Sequence, residues 1–204
     1  PLQPLLCERK FCVEAVDVKS KTMQTVVIGK RRVGPGQPVF VIAEAGCNHT
    51  CDLQTAKCMV REAARAGADA IKFQTYKAQW LATRTAPTYW KRSLGSPRTQ
   101  FEFFTQLDRF GEREYARLAE ECRRVGIEFL STPWDVRSAD LLESLGVHAF
   151  KIGSADLTYL QLIRHCARKG KPMILSTGAA TVQEIEEAVK TVLACGNRQV
   201  ILLH

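Results

Sequence analysis

Two lysines stand inside apolar, strand-like runs: Lys72 in AIKFQT (residues 70–75) and Lys151 in AFKIGS (residues 149–154). A Lys in such a run either carries its head out to solvent along an apolar stem or holds an anion. Both lysines lie near the C-terminal end of their runs with hydroxyl side chains close by, which favours the second use. A small phosphorylated carboxylate needs its phosphate and its carboxylate both neutralised, and Lys with Ser and Thr donors supplies that in a narrow space. Glu44, at the end of VFVIAEAG (39–46), is a single carboxylate. It either pairs with one of the lysines or serves as a general acid or base beside a bound carbonyl. The other polar run ends are Gln74 with Thr75, Ser131 with Thr132, Ser154, and Ser176 with Thr177. His49, alone in the segment after Gly46, reads as a hydrogen-bonding loop residue rather than a metal ligand.

These side chains need elements that bring them to one place. Six short runs, VFVIAEAG (39–46), DAIKFQTY (69–76), IEFLSTPW (127–134), HAFKIGS (148–154), KPMILSTG (171–178) and QVILLH (199–204), are rich in Val, Ile, Leu and Phe. Continuous apolar runs suit strands covered on both faces, as in parallel sheets. Helical patterns alternate with them: 53–67 after Asp52 as N-cap, 112–126, 136–146, 159–170, and a capping box of Thr181 and Glu184 opening 181–196. The last four runs start 21 to 28 residues apart, the step of a repeating β/α unit. Such alternation allows a doubly wound sheet or a (β/α)8 barrel; AEAGCNHT is not the GxGxxG of a dinucleotide fold, which favours the barrel. On a barrel the polar run ends would converge on one mouth. TVVIGKRRVGPGQP (25–38) reads as a hairpin that could plug the N-terminal end. The segment from Tyr76 to about Phe110 is far longer than usual connections, which makes it a candidate lid.

The composition excludes several classes. The 204 residues are 46% hydrophobic, enough for a real core, and carry a net charge of +8. Basic residues are scattered among acidic ones, with only short knots at Lys30-Arg31-Arg32 and Arg123-Arg124. A nucleic-acid face would show a longer stripe with interleaved aromatics, so the charge is read as serving anionic small molecules. Eight cysteines occur without a CxxC pair, which reads as free thiols in a reducing cytosol. No apolar run approaches the roughly 18 residues of a membrane span, and no signal-peptide pattern is present. The expected setting is the cytoplasm.

At these residues the chain resembles a known family. IAEAGCNH, GADAIKFQTYKA, FLSTPWD, AFKIGSADLT and KPMILSTGAAT, over residues 25 to 204, are similar to the bacterial-type N-acetylneuraminate (sialic acid) synthases and their pseudaminic, legionaminic and spore-coat polysaccharide relatives. The resemblance implies a (β/α)8 barrel that condenses phosphoenolpyruvate with an N-acetylated amino-sugar aldehyde such as N-acetylmannosamine, giving a nine-carbon 2-keto acid and phosphate. It implies phosphoenolpyruvate contacts from Lys72, Thr132, Lys151, Ser154 and Ser176, with Glu44, Gln74 and Asp156 near the sugar and Glu44 managing protons. It further implies a divalent metal, Mn2+ or Mg2+, whose ligands lie outside this chain, and a homodimer at full length. On this reading the chain, which begins at Pro1 and stops at His204 after a strand-like run, is expected to be part of something longer. Residues 1–22 would be an extension and 23–204 the first six β/α units, an N-terminal portion expected to be inactive alone, without the last two strands and the C-terminal antifreeze-like domain.

The chain also departs from the family pattern. It has Asn48-His49-Thr50-Cys51 where relatives commonly read NHNG, which removes a turn glycine. Ser93 stands where relatives commonly place a sugar-contacting Asn, and Ala179 where Met is common. Two other readings remain open: a shortened, non-catalytic barrel that binds sugar phosphates or a partner subunit, and another phosphoenolpyruvate-dependent aldol synthase making seven- or eight-carbon sugar acids.

Overall fold

A computed structural model describes residues 25–91 and 95–204. Residues 1–22 and Ser93, both singled out above, lie outside the described residues. The chain opens with the expected hairpin, β1 (Val26–Ile28) and β2 (Arg31–Val33), paired antiparallel. Its turn requires glycine: Gly29 has φ +58°, and a Cβ there would lie 1.8 Å from the Glu128 carboxylate.

Six parallel strands follow: β3 (Ile42–Gly46), β4 (Ala70–Thr75), β5 (Glu128–Pro133), β6 (Phe150–Ile152), β7 (Met173–Ser176) and β8 (Val200–Leu203). They form two three-stranded sheets in chain order, β3-β4-β5 and β6-β7-β8. β5 lies against β6 without a hydrogen-bonded ladder. The expected parallel α/β architecture is present, but the sheet does not close into a barrel. Among the described residues β3 and β8 are the outer strands, each hydrogen-bonded to one neighbour only.

Strand periodicity sorts the side chains onto two faces. Ile71, Phe73, Phe129, Phe150, Ile152, Met173 and Leu175 point to the helices and build the main core with Leu118, Leu142, Leu162, Ile163 and Val192. Ala70, Leu130, Ala149 and Ile174 occupy the opposite face, where they pack with Ile42, Ile201, and the hairpin residues Ile28 and Val33. This second cluster joins both sheets, and the hairpin covers its N-terminal end. Continuing two residues along each strand from that cluster leads to Glu44, Lys72, Thr132, Lys151 and Ser176.

The helices begin where expected. Asp52 accepts from Thr55 N to cap α1 (Leu53–Arg65), and Asp135 likewise caps α5 (Val136–Ser144). The capping box of Thr181 and Glu184 starts α7 (Val182–Ala194). α4 (Glu112–Val125) is tied to α1 through Glu121, which pairs with Arg61 at 3.1 Å. α6 (Leu160–Ala167) packs between α5 and α7.

The described residues of the 76–110 segment are more ordered than a bare loop. The segment contains α2 (Ala78–Leu81), α3 (Gln100–Leu107) and a β-bridge between Pro87 and Thr99. Its aromatic residues explain the order: Tyr76, Phe104, Phe103 and Trp90 form a contiguous cluster, and Tyr76 and Phe104 pack on Trp134, which follows β5. Lys77 fastens the two ends, its Nζ donating to the carbonyls of Asp108 (2.5 Å) and Phe110 (2.9 Å).

Candidate active site

The site lies at the C-terminal ends of the strands, on the inner face. β3 and β4 run in register with Glu44 opposite Lys72 until a bulge between Glu44 and Gly46 shifts the pairing. The bulge coincides with Gly46 at φ +52° and turns the chain off the strand. Lys72 Nζ sits 2.5 Å from Glu44 Oε2; the Lys72 side chain is 10% exposed and that of Glu44 57%. Of the two uses left open for Glu44, pairing with a lysine is therefore realised here. Its exposure leaves the carboxylate open to the mouth for the other.

Lys151 is 5% exposed and has no carboxylate within salt-bridge distance among the described residues; its Nζ donates to Ile152 O at 2.7 Å. Burial pushes its ammonium down to about 8, the nearby Lys72 adds to that, and Glu44 and Asp156 oppose it. Lys151 thus responds electrostatically to residues of both sheets. Asp156 lies on the 3-10 turn Ser154–Asp156 that follows β6. Burial raises its carboxyl to about 6, against the pull of Lys151. A Cβ at Gly153 would be 3.6 Å from Asp156 Oδ2 and 3.9 Å from Thr132 Cγ2, so the turn folds Asp156 back toward the end of β5.

The remaining expected residues fall around this centre. Thr132 is buried on the inner face. Ser154 is exposed beside the β7–α7 loop, where a Cβ at Gly178 would lie 3.7 Å from its Oγ. Ser176 is half-buried at the end of β7, without a hydrogen-bond partner among the described residues. Gln74 and Glu44 share one spot: a Cβ at Gly46 would be 3.8 Å from Gln74 Nε2 and 3.7 Å from Glu44 Oε1. The arrangement offers two buried ammonium groups, two carboxylates, hydroxyls and an amide at one mouth, suited to an anion next to a polar group that exchanges protons.

Three hydroxyls expected to converge with these do not. Thr75 and Ser131 alternate to the helix-facing side and bond to each other at 2.7 Å. Thr177 Oγ1 is engaged by Leu203 O and His204 Nδ1, both at 3.0 Å. All three end up stabilising the strand ends because each is one residue out of phase with the inner face. His49 is structural as read: 2% exposed, it stacks on Phe110 at 4.5 Å, and its Nδ1 accepts from Cys51 N at 3.1 Å. Burial lowers its imidazole pKa below the usual value. No group of three His, Cys, Asp or Glu side chains that could hold a metal occurs among the described residues.

The sequence reading missed what holds Gln74. Cys47 Sγ donates to Gln74 Oε1 at 3.3 Å, and Tyr115 OH donates to Gln74 O at 2.9 Å. Tyr115 comes from α4, too far along the chain for spacing to reveal. Cys47 directly follows the bulge, and only its position after Gly46 hints at the contact.

The chain is 43% identical to N,N'-diacetyllegionaminic acid synthase of Legionella pneumophila, over 78% of this chain and 45% of that protein. The crystal structure of N-acetylneuraminic acid (sialic acid) synthetase from Leptospira borgpetersenii serovar Hardjo-bovis, in complex with citrate, superposes with a TM-score of 0.77 at 34% identity, covering 91% of this chain and 60% of that one. Spore coat polysaccharide biosynthesis protein SpsE of Bacillus subtilis gives a TM-score of 0.74 at 36% identity, over 89% and 48%. The chain spans about half the length of the curated relatives it matches. The NeuB family model matches residues 59–204, a stretch that holds both lysines and every inner-face site residue except Glu44, and the chain belongs to the NeuB family.

Proposed function

We propose that the protein to which this chain belongs condenses phosphoenolpyruvate with an N-acetylated amino-sugar aldehyde, releasing phosphate and a nine-carbon 2-keto sugar acid. The observation that carries this reading is the pair of buried lysines, one from each sheet, facing one mouth beside Glu44 in a NeuB-family chain. Lys151 and Lys72, with Thr132, Ser154 and Ser176, hold the phosphate and carboxylate of phosphoenolpyruvate. Buried cations do this well because folding has already stripped much of their water, so the anion meets charge-assisted donors without that desolvation cost at binding. Glu44, Gln74 and Asp156 line the sugar side.

In the reaction, C3 of phosphoenolpyruvate forms a bond to the aldehyde carbon, whose oxygen takes up a proton. Water adds to the oxocarbenium carbon left at C2, loses a proton, and phosphate departs from the tetrahedral intermediate to leave the keto group. Glu44, exposed toward the mouth, is the group assigned to these proton transfers. The divalent cation implied by the resemblance, Mn2+ or Mg2+, has no complete ligand set among the described residues. The parallel strands would form six staves of a (β/α)8 barrel, and the full protein would act as a homodimer. The six described cysteines are free, in keeping with a reducing cytoplasmic setting. No helix among the described residues is long and apolar enough to cross a membrane.

The test is phosphate release from phosphoenolpyruvate in the presence of N-acetylmannosamine and related N-acylated aldehydes with Mn2+. Release that depends on the amino sugar is expected. Release at the same rate without any sugar contradicts the reading, as does failure of the folded protein to bind phosphoenolpyruvate.

A further inference from the structure

Cys47 stands between two parts of the molecule that the proposed chemistry uses separately. On one side its thiol reaches Gln74 Oε1 at 3.3 Å; on the other it lies 3.8 Å from Tyr76 OH and packs against the aromatic cluster of the 76–110 segment. The direction of these bonds follows from proton inventory. Desolvation raises the thiol pKa above its ordinary value, so at neutral pH Sγ keeps its proton. Tyr76 is also held protonated by burial, and its hydroxyl can donate to Sγ. The S–H then takes the acceptor available beside it, the amide oxygen of Gln74, and Nε2 is left as the outward end. Nε2 and Glu44 Oε1 both lie within 4 Å of one point beside Gly46, so a donor and an acceptor stand side by side at the mouth.

We propose that Cys47 is a positioning residue: it locks the Gln74 amide with Nε2 toward the mouth, where it donates to an oxygen of the amino sugar, and packing of the 76–110 segment on Cys47 sets that lock. This rests on the function proposed above. The Gln74 main chain is already fixed by Tyr115 OH, which leaves the side-chain torsions as the freedom that the thiol removes. A substrate oxygen is matched by the locked amide; a substrate group that can only donate is rejected, because it would face Nε2 with no acceptor.

Two measurements on the folded protein test this. The first is iodoacetamide labelling followed by peptide mass spectrometry, with exposed Cys58 as the internal reference. Cys47 is expected to label more slowly than Cys58, and Gln74→Leu to speed Cys47 several-fold while leaving Cys58 unchanged. Equal Cys47 rates in wild type and Gln74→Leu overturn the lock. The second is calorimetric titration with N-acetylmannosamine and, separately, phosphoenolpyruvate. Cys47→Ala, which loses the donor without adding bulk, is expected to weaken the amino sugar about threefold to tenfold, the span of one ordinary hydrogen bond. Cys47→Ser is expected to restore it to within about twofold, and both variants should bind phosphoenolpyruvate as wild type does. Undiminished sugar affinity in Cys47→Ala overturns the positioning role. Loss of phosphoenolpyruvate binding by wild type would instead contradict the underlying function, and the labelling rates would still decide the Cys47–Gln74 contact.

Discussion

Lys151 carries a charge where only 5% of the residue is exposed, and no carboxylate among the described residues pairs with it. Its protonated form is disfavoured by burial, so the native state releases the proton near pH 8 while the unfolded chain holds it to the ordinary lysine value. Between those values the unfolded state binds more protons, and stability rises with pH. Asp156 behaves in the opposite sense: its native carboxyl titrates near 6, above the usual range, so stability falls as pH rises from about 4 to 6. Two outcomes follow at this scale. Phosphoenolpyruvate affinity, followed by calorimetry, should decline as pH passes about 8, because the ammonium that meets the anion is lost. Lys151→Met should raise the melting temperature at pH 7, by about 2–4 °C for each kcal/mol of relieved burial, because it keeps the stem and removes the charge. A melting temperature lowered by that substitution would mean the lysine is structural.

Elements explain which residues were legible in advance. The chain pattern gave all six parallel strands, because fully covered strands leave long apolar runs, and the caps at Asp52 and Thr181 because their side chains bond within one turn. Period-2 alternation separates Lys72, Thr132 and Ser176 from Thr75, Ser131 and Thr177, yet the strand-end clusters of polar residues masked it; face had to be read from packing. The order of the 76–110 segment was not legible, since aromatic residues far apart in sequence create it.

The β3–α1 turn shows a departure from the family pattern with a physical consequence. Thr50 and Cys51 have φ of 50° and 59°, left-handed values that favour glycine. Cys51→Gly should therefore stabilise the protein by about 0.5–1 kcal/mol in urea titration, once the entropy that glycine adds to the unfolded chain is subtracted. The opposite sign would mean that the packing of Cys51 against the core outweighs the backbone strain. For the 76–110 segment, Lys77→Met removes both bonds to the Asp108 and Phe110 carbonyls. Limited trypsin digestion should then cut within residues 84–98 several-fold faster, with the melting temperature little changed, because the fastening is local to the segment.

At the scale of the whole molecule, the site is a junction. Glu44, Lys72, Gln74 and Thr132 come from the first sheet, while Lys151, Ser154, Asp156 and Ser176 come from the second or its loops. The sheets meet where β5 lies against β6 without a shared ladder, so their relative placement is carried by side chains: the helix-facing core that joins Phe73 and Phe129 to Phe150 and Met173, and the inner cluster of Leu130, Ala149 and Ile174 with Ile28. An anion gripped by one lysine from each sheet would bridge that junction and add the tie that backbone bonds do not provide. Parallel architecture was readable from sequence because it depends on where apolar runs fall; the run ends named Lys72, Thr132, Lys151 and Ser176, but they also named Thr75, Ser131 and Thr177, which turn away, and Asp156 entered only through the family resemblance. The division into two sheets was not, because a missing ladder between adjacent strands leaves no mark on residue type.

The most direct measurement is calorimetric titration of phosphoenolpyruvate into the wild type, Lys72→Ala and Lys151→Ala, with circular dichroism confirming that all three are folded. The account predicts one site per chain in the wild type and a loss of at least about 30-fold in affinity in each variant, the cost of leaving a bound anion without its charge partner. Unchanged affinity in both variants would contradict the claim that the two lysines form a single anion site across the two sheets.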